Sequence, residues 1–242
     1  MSENRRLAAE EASMNRFQTH SGLNVECRFC GFLSGSKHMP KASIVDTPWL
    51  AIGDYAAFVS IGALVPGWTL IVPKAHGINL TRDYQSTAFW RFAGQVSSIL
   101  AVKYGRFSVF EHGAYSAASA TSCGTAHAHL HLVPLSFNLI EEAKKFAPEM
   151  KWEECLATEI ADISNGREYL FVADDFEGAK TRGHISFLRT EVSQFFRRVI
   201  ATKLGKPAEY DYKANAHLEV SQQSYVELRE CVSQDNDVAQ SA

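Results

Sequence analysis

Three histidines at alternating positions, His127, His129 and His131, are the residues of this chain best suited to chemistry. Neutral imidazole serves as nucleophile, metal ligand or proton carrier near neutral pH. A β-strand puts residues i, i+2 and i+4 on one face. The run Cys123-Gly124-Thr125-Ala126-His127-Ala128-His129-Leu130-His131-Leu132-Val133-Pro134 therefore predicts a strand with three imidazoles on one face. Ala128, Leu130 and Leu132 then point into a core. A row of imidazoles is costly to bury without partners, so this row reads as a site rather than as packing.

The run resembles the signature of the histidine triad (HIT) superfamily, His-x-His-x-His followed by two apolar residues. Upstream, Pro66-Gly67-Trp68-Thr69-Leu70-Ile71-Val72-Pro73-Lys74-Ala75-His76 is similar to the family's Pro-x-Gly-His-x-Leu-Val-x-Pro-Lys-x-His segment, with Trp68 in place of the usual His. The resemblance covers roughly residues 25–135.

The surrounding elements are read from periodicity. Trp49–Gly53 and Ala56–Ile61 form two short strands, with Asp54-Tyr55 at the turn between them. Trp68–Val72 is a third strand, opened by Pro66-Gly67 and closed by Pro73. Thr81–Tyr104 has the spacing of an amphipathic helix stopped by Gly105. Phe107–Glu111 is the fourth strand and Ala126–Val133 the fifth, while Cys27–Ser36 reads as a loop. Beyond Pro134, Asn138–Phe146 and Val192–Leu204 read as helices and Glu168–Ala173 as a strand. The expected class is α+β: an antiparallel sheet of about five strands with a long helix, the layout of the HIT fold, plus a C-terminal α/β extension. The expected division is a flexible arm over 1–20, a HIT-like catalytic core over 21–137, an extension over 138–230 packed on that core, and a disordered tail over 231–242.

The resemblance implies roles. His129, the middle histidine, would be the nucleophile that forms a nucleotidyl-histidine. His131 would contact the phosphate and help the leaving group, which favours hydrolysis over transfer. His127 and His76 would join Cys27 and Cys30 in a Cys₂His₂ set suited to structural zinc. The other reading of Cys27-x-x-Cys30 is a pair of reduced thiols in a loop. Ser122, Gly124 and Thr125 fall where relatives bind phosphate oxygens through backbone N–H groups and a hydroxyl. Gly124 stands where Ser or Thr is usual, so Ser122 or Thr125 substitutes, or the contact is backbone only. Glu111-His112-Gly113 ends a strand at the substrate side in relatives. This makes Glu111 a substrate-binding candidate and leaves His112 between pocket and surface. Phe58 and Ile52 are either a slot for the base or core. Ser193, Gln194, Arg197 and Arg198 read as a solvated helix face.

Composition bounds the function. Of the 242 residues, 46% are hydrophobic and 21% charged, with a net charge of −3, so no basic footprint for bulk nucleic acid is present. No apolar run approaches the roughly 20 residues needed to span a bilayer. The N-terminus lacks the apolar core of a secretory signal, and a cytoplasmic location is the default expectation. Five cysteines, an odd number, do not form a disulfide framework. No acidic cluster calls for magnesium. The expectation is an enzyme acting on a nucleotide substrate, without a membrane partner, and a homodimer is a possible assembly. A nucleotidyltransferase or a nucleotide-binding regulatory protein are the alternatives.

Overall fold

The computed structural model describes residues 27–33, 44–122 and 126–240. The arm expected over 1–20 lies outside the described residues, as do Gly124 and Thr125. Helix α1 spans Arg28–Leu33, and strands β1, β2 and β3 span Leu50–Ile52, Tyr55–Val59 and Thr69–Pro73. Helix α2 spans Thr87–Tyr104, followed by β4 (Phe107–Gly113), β5 (Leu130–Pro134) and α3 (Leu139–Phe146). Then come β6 (Glu153–Leu156), α4 (Ile160–Ser164), β7 (Tyr169–Ala173), β8 (Arg182–Phe187), α5 (Phe195–Lys203) and α6 (Leu218–Gln240).

The eight strands form one sheet in the order β1-β2-β3-β5-β4-β7-β8-β6. Every neighbouring pair is antiparallel. The sheet is therefore larger than the five strands expected. The C-terminal half continues it, adding β7, β8 and β6 beyond β4. Two residues longer than anticipated, β4 pairs with β7 from Val109↔Ala173 to Gly113↔Tyr169. A β4 edge left open would strand its N–H and C=O groups. All five residues of β7 are buried, as suits a strand covered on both faces.

Local chemistry explains where boundaries moved. The turn before β2 uses Gly53, at φ 57°, so Tyr55 lies inside the strand. The long helix starts later than expected because Ser86 caps it, its side chain accepting from the Phe89 N–H, after a short turn over Asp83–Gln85. Residues Arg28–Leu33 are helical rather than looped: Phe29 and Cys30 are buried there, and tertiary burial decides the state of so short a segment. Helix α6 runs through Gln240, across most of the stretch read as a disordered tail. Its Leu228 is fully buried and Val232 packs on the core.

The sheet carries a core on each face. One contains Tyr55, Ile71, Leu130, Leu132, Val109 and Phe171 with α2 residues and Leu228. The other contains Phe58, Trp68, Leu70, Phe110 and Leu170 with residues of α1, α3 and α5. Ala128, Leu130 and Leu132 face the first core as expected, which places the imidazoles toward the second.

Glu111 belongs to the first core, not to the histidine face. Its carboxylate accepts from the Leu80 N–H (2.7 Å) and from the hydroxyls of Tyr84 and Tyr169 (2.8 Å each). Burial pushes its pKa up to about 7 against the pull of those three donors. A folded-state pKa above the unfolded value means the native state binds the proton more tightly. The stability this contributes is present at low pH and lost as pH rises from about 4.5 to about 7. Glu111→Gln, which cannot titrate, should flatten that decline by on the order of 3 kcal/mol in denaturant melts at a series of pH values. An unchanged decline would mean that Glu111 does not cause it.

Candidate active site and metal cluster

Strand β5 begins at Leu130, so His131 alone of the three histidines lies within it. His127 and His129 sit on the run-in, which the Ala128 N–H ties to the Gly77 carbonyl at 2.6 Å. The alternation survives without the full strand. The rings of His129 and His131 are 4.6 Å apart, and Phe29 of α1 borders both His127 and His129.

Each imidazole has a distinct hydrogen-bonding state. His127 donates from Nε2 to the Pro73 carbonyl at 2.8 Å, leaving Nδ1 as its lone-pair atom. His129 donates from Nδ1 to the His127 carbonyl at 2.7 Å, leaving Nε2 as its lone-pair atom. His131 accepts at Nδ1 from the Trp68 indole N–H at 3.0 Å, which leaves the proton of the neutral ring on Nε2. Burial lowers the pKa of all three, to about 4 for His127 and well below the ordinary range for His131, where His129, His112 and Arg197 lower it further. The triad thus offers one nucleophilic nitrogen on His129 beside one N–H donor on His131.

Trp68, which stands where the resemblance has a His, sets the state of His131. Trp68→Phe should leave His131 Nδ1 buried without its donor, at a cost of about 1–3 kcal/mol. Imidazole ¹⁵N spectra should then show His131 losing its single Nε2–H tautomer. A spectrum identical to the wild type would remove Trp68 from this role.

Cys27, Cys30, His76 and His127 lie close enough to bind a metal ion, with one ligand atom from each within 4.8 Å of the others. Cys27 Sγ is 3.3 Å from His127 Nδ1. Cys30 Sγ is 3.3 Å from His76 Nδ1 and 3.6 Å from His127 Nδ1. Tetrahedral zinc with sulfur and nitrogen ligands requires ligand–ligand edges of roughly 3.3–3.8 Å, and these three edges fall in that range. The Pro73 carbonyl holds the His127 proton on Nε2 and turns Nδ1 to the cluster, the outer hydrogen bond that metal-bound histidines commonly have.

A cavity of about 50 Å³ lies against His129 and His131. Its wall also includes His112, Leu70, Arg28, Phe29, Arg197 and Tyr212. A single water needs about 10–15 Å³ by a comparable measure, so the space suits a group of a few atoms. Arg197 is 4% exposed. It donates from Nε to the Tyr210 carbonyl at 2.8 Å and from Nη2 to the Gly62 carbonyl, and its guanidinium lies over the Trp68 ring.

Of the other sequence candidates, Arg197 and His112 line this cavity and Phe58 and Ser122 do not. Phe58 is 1% exposed and packs on Phe29, which itself lines the cavity. Ser122 is buried and donates to the Ser119 carbonyl at 2.8 Å within its own turn. Arg197 is buried rather than on a solvated face. Its neighbours Phe196, Val199 and Ile200 are buried as well, and a cation on the apolar stripe of a helix was the signal available for it. For His112 the signal was strand parity: Phe110 pairs with His131, so His112, two residues on, shares that face.

No known protein-family model matches the chain, and no curated protein is significantly similar to it. No helix among the described residues is long and apolar enough to cross a membrane.

Proposed function

We propose that this protein is a nucleotide-conjugate hydrolase of the histidine-triad type. In this reading His129 attacks the α-phosphorus and a nucleoside monophosphate is released. The observation that carries it is the 2.7 Å bond from His129 Nδ1 to the His127 carbonyl, which commits the neutral ring to a lone pair on Nε2 beside a small cavity. The Nε2 pair forms an N–P bond while the bond from phosphorus to the leaving group breaks. The leaving group keeps the electron pair and takes a proton from solvent. Water then attacks phosphorus, the N–P bond breaks, Nε2 recovers its pair, and the proton lost by water returns to solvent. The His131 Nε2–H is the matching donor for a phosphoryl oxygen. Zinc is the proposed metal for Cys27, Cys30, His76 and His127. It would supply a structural tie that fixes His127 and α1, and the reaction does not pass through it.

Transfer to an acceptor is the second reading. It rests on Arg197 and Tyr212, residues of the C-terminal half that reach the cavity and would border an acceptor. The test is a mass-spectrometric screen of the purified protein against dinucleoside polyphosphates, adenosine phosphoramidate, adenylyl sulfate and sugar nucleotides, each with and without acceptors. Monophosphate release with a transient adduct on His129 supports the hydrolase. Product formed only with an acceptor supports the transferase. Binding without turnover across the panel overturns both in favour of a nucleotide-binding protein.

A further inference from the structure

His112 projects from β4 onto the histidine face and is 8% exposed. Its ring lies 6.1 Å from that of His131 and 5.4 Å from that of Phe196. The Phe196 N–H points at His112 Nε2 over 3.5 Å, a long bond that makes Nε2 the acceptor and puts the proton on Nδ1. Nδ1 is buried and has no hydrogen-bond partner among the described residues. A buried N–H without a partner is costly and calls for an explanation. This one belongs to a side chain that lines the cavity beside His129, together with Arg197.

We infer that His112 is a ligand-binding residue: its Nδ1–H, the His131 Nε2–H and the Arg197 charge together hold a tetrahedral oxyanion in the cavity beside His129. The inference deepens the proposed function and rests on it for the identity of that oxyanion as the phosphoryl group under attack. The chemistry matches. Two neutral N–H donors and one guanidinium present only donors, which an oxyanion can satisfy and a neutral apolar group cannot. The cavity admits a group of phosphoryl size and excludes a nucleoside, whose base must lie outside it. The charge comes from α5, so the C-terminal half completes the site instead of merely covering the core. Helix α6 supports the same roof: Ser221 Oγ donates to the Ser60 carbonyl at 2.7 Å, and Ser60 lines the cavity.

The test uses the full-length, metal-loaded protein and inorganic phosphate as the probe, so it does not depend on turnover. Phosphate should stabilise the wild type in a saturable way. It should also shift the His112 Nδ1–H resonance downfield in imidazole-selective ¹⁵N–¹H spectra. His112→Leu should weaken phosphate about 10- to 100-fold, the loss of one hydrogen bond to a charged group. His112→Asn, whose amide nitrogen falls near the Nδ1 position, should stay within a few-fold of the wild type. Unchanged phosphate affinity in a folded His112→Leu variant would overturn the inference. So would a wild-type His112 resonance that ignores phosphate, a readout that stands even if the leucine variant fails to fold. Phosphate binding through His112 in a protein that turns over no nucleotide conjugate would keep the oxyanion site and reject the proposed function. Turnover with a His129 adduct but no effect of His112→Leu on phosphate would do the reverse.

Discussion

Replacing His129 with alanine should reduce turnover of a nucleotide conjugate by on the order of 10⁴-fold or more, with nucleotide affinity within a few-fold of the wild type. The split between rate and affinity follows from what the substitution leaves in place. His131 keeps its Nε2–H because the Trp68 indole holds its Nδ1. Arg197 keeps its position through the Tyr210 and Gly62 carbonyls. In the proposed reaction those groups would bind the ground state, while the lone pair on His129 Nε2 would act only in the bond-forming step. The substitution also opens a ring-sized space next to the cavity. Added imidazole should enter it and restore part of the turnover, this time with no covalent adduct on the protein. Rescue of that kind separates a nucleophile from a residue that only orients the site. Steady-state kinetics, equilibrium nucleotide binding and intact-protein mass spectra of His129→Ala decide the matter. A variant that keeps more than a tenth of wild-type turnover would remove His129 from the chemistry.

The triad face was legible because a two-residue period needs only local information. Ala128, Leu130 and Leu132 reach the core opposite the imidazoles as that period requires, even though the regular strand covers just part of the run. Glu111 shows the limit of the same rule. Strand parity allots alternate residues to opposite faces, so of the consecutive Glu111 and His112 only one can share the face of His131. Pairing of Phe110 with His131 puts Phe110 and His112 on the site face and Glu111 among Tyr84, Leu80 and Tyr169. The C-terminal strands were harder for a different reason. The polar pattern of Arg182–Phe187 and the four residues Glu153–Leu156 carry little β signal of their own. They are strands because β4 and β7 give them a sheet to extend, which is a long-range pairing no local window contains. For Arg197 the apolar stripe of its helix is a local signal, but the groups that hold it lie beyond any local window. Its burial is decided by Gly62, Trp68 and Tyr210, and the first two lie far from it in the chain.

Removal of the metal should lower the melting temperature by about 8–16 °C and abolish most activity, although the proposed reaction does not use the metal. A bound ion present at roughly 1,000 times its dissociation constant contributes about 4 kcal/mol to the folded state. In a chain of this size each kcal/mol moves the melting temperature by about 2–4 °C. The four ligands come from three separate places: Cys27 and Cys30 at α1, His76 after β3, and His127 on the run-in to β5. Six residues cannot hold a helix by themselves, so α1 depends on its packing against Phe58 and the histidines and, with the proposed metal bound, would depend on this tie as well. With α1 loosened, Phe29 and Arg28 leave the cavity wall. His127 also loses the constraint on its carbonyl, which is the acceptor that sets the His129 tautomer. Stability and activity should therefore fall together, and Cys30→Ser should reproduce the effect with metal content dropping from about one per chain to near zero. Cobalt should restore both properties and report tetrahedral Cys₂His₂ coordination in its visible spectrum. Recovery of both properties with either ion would tie stability and activity to occupancy of this one site. A wild-type protein purified without chelator that holds no metal and melts at the same temperature as Cys30→Ser would show that the four side chains are not a metal site.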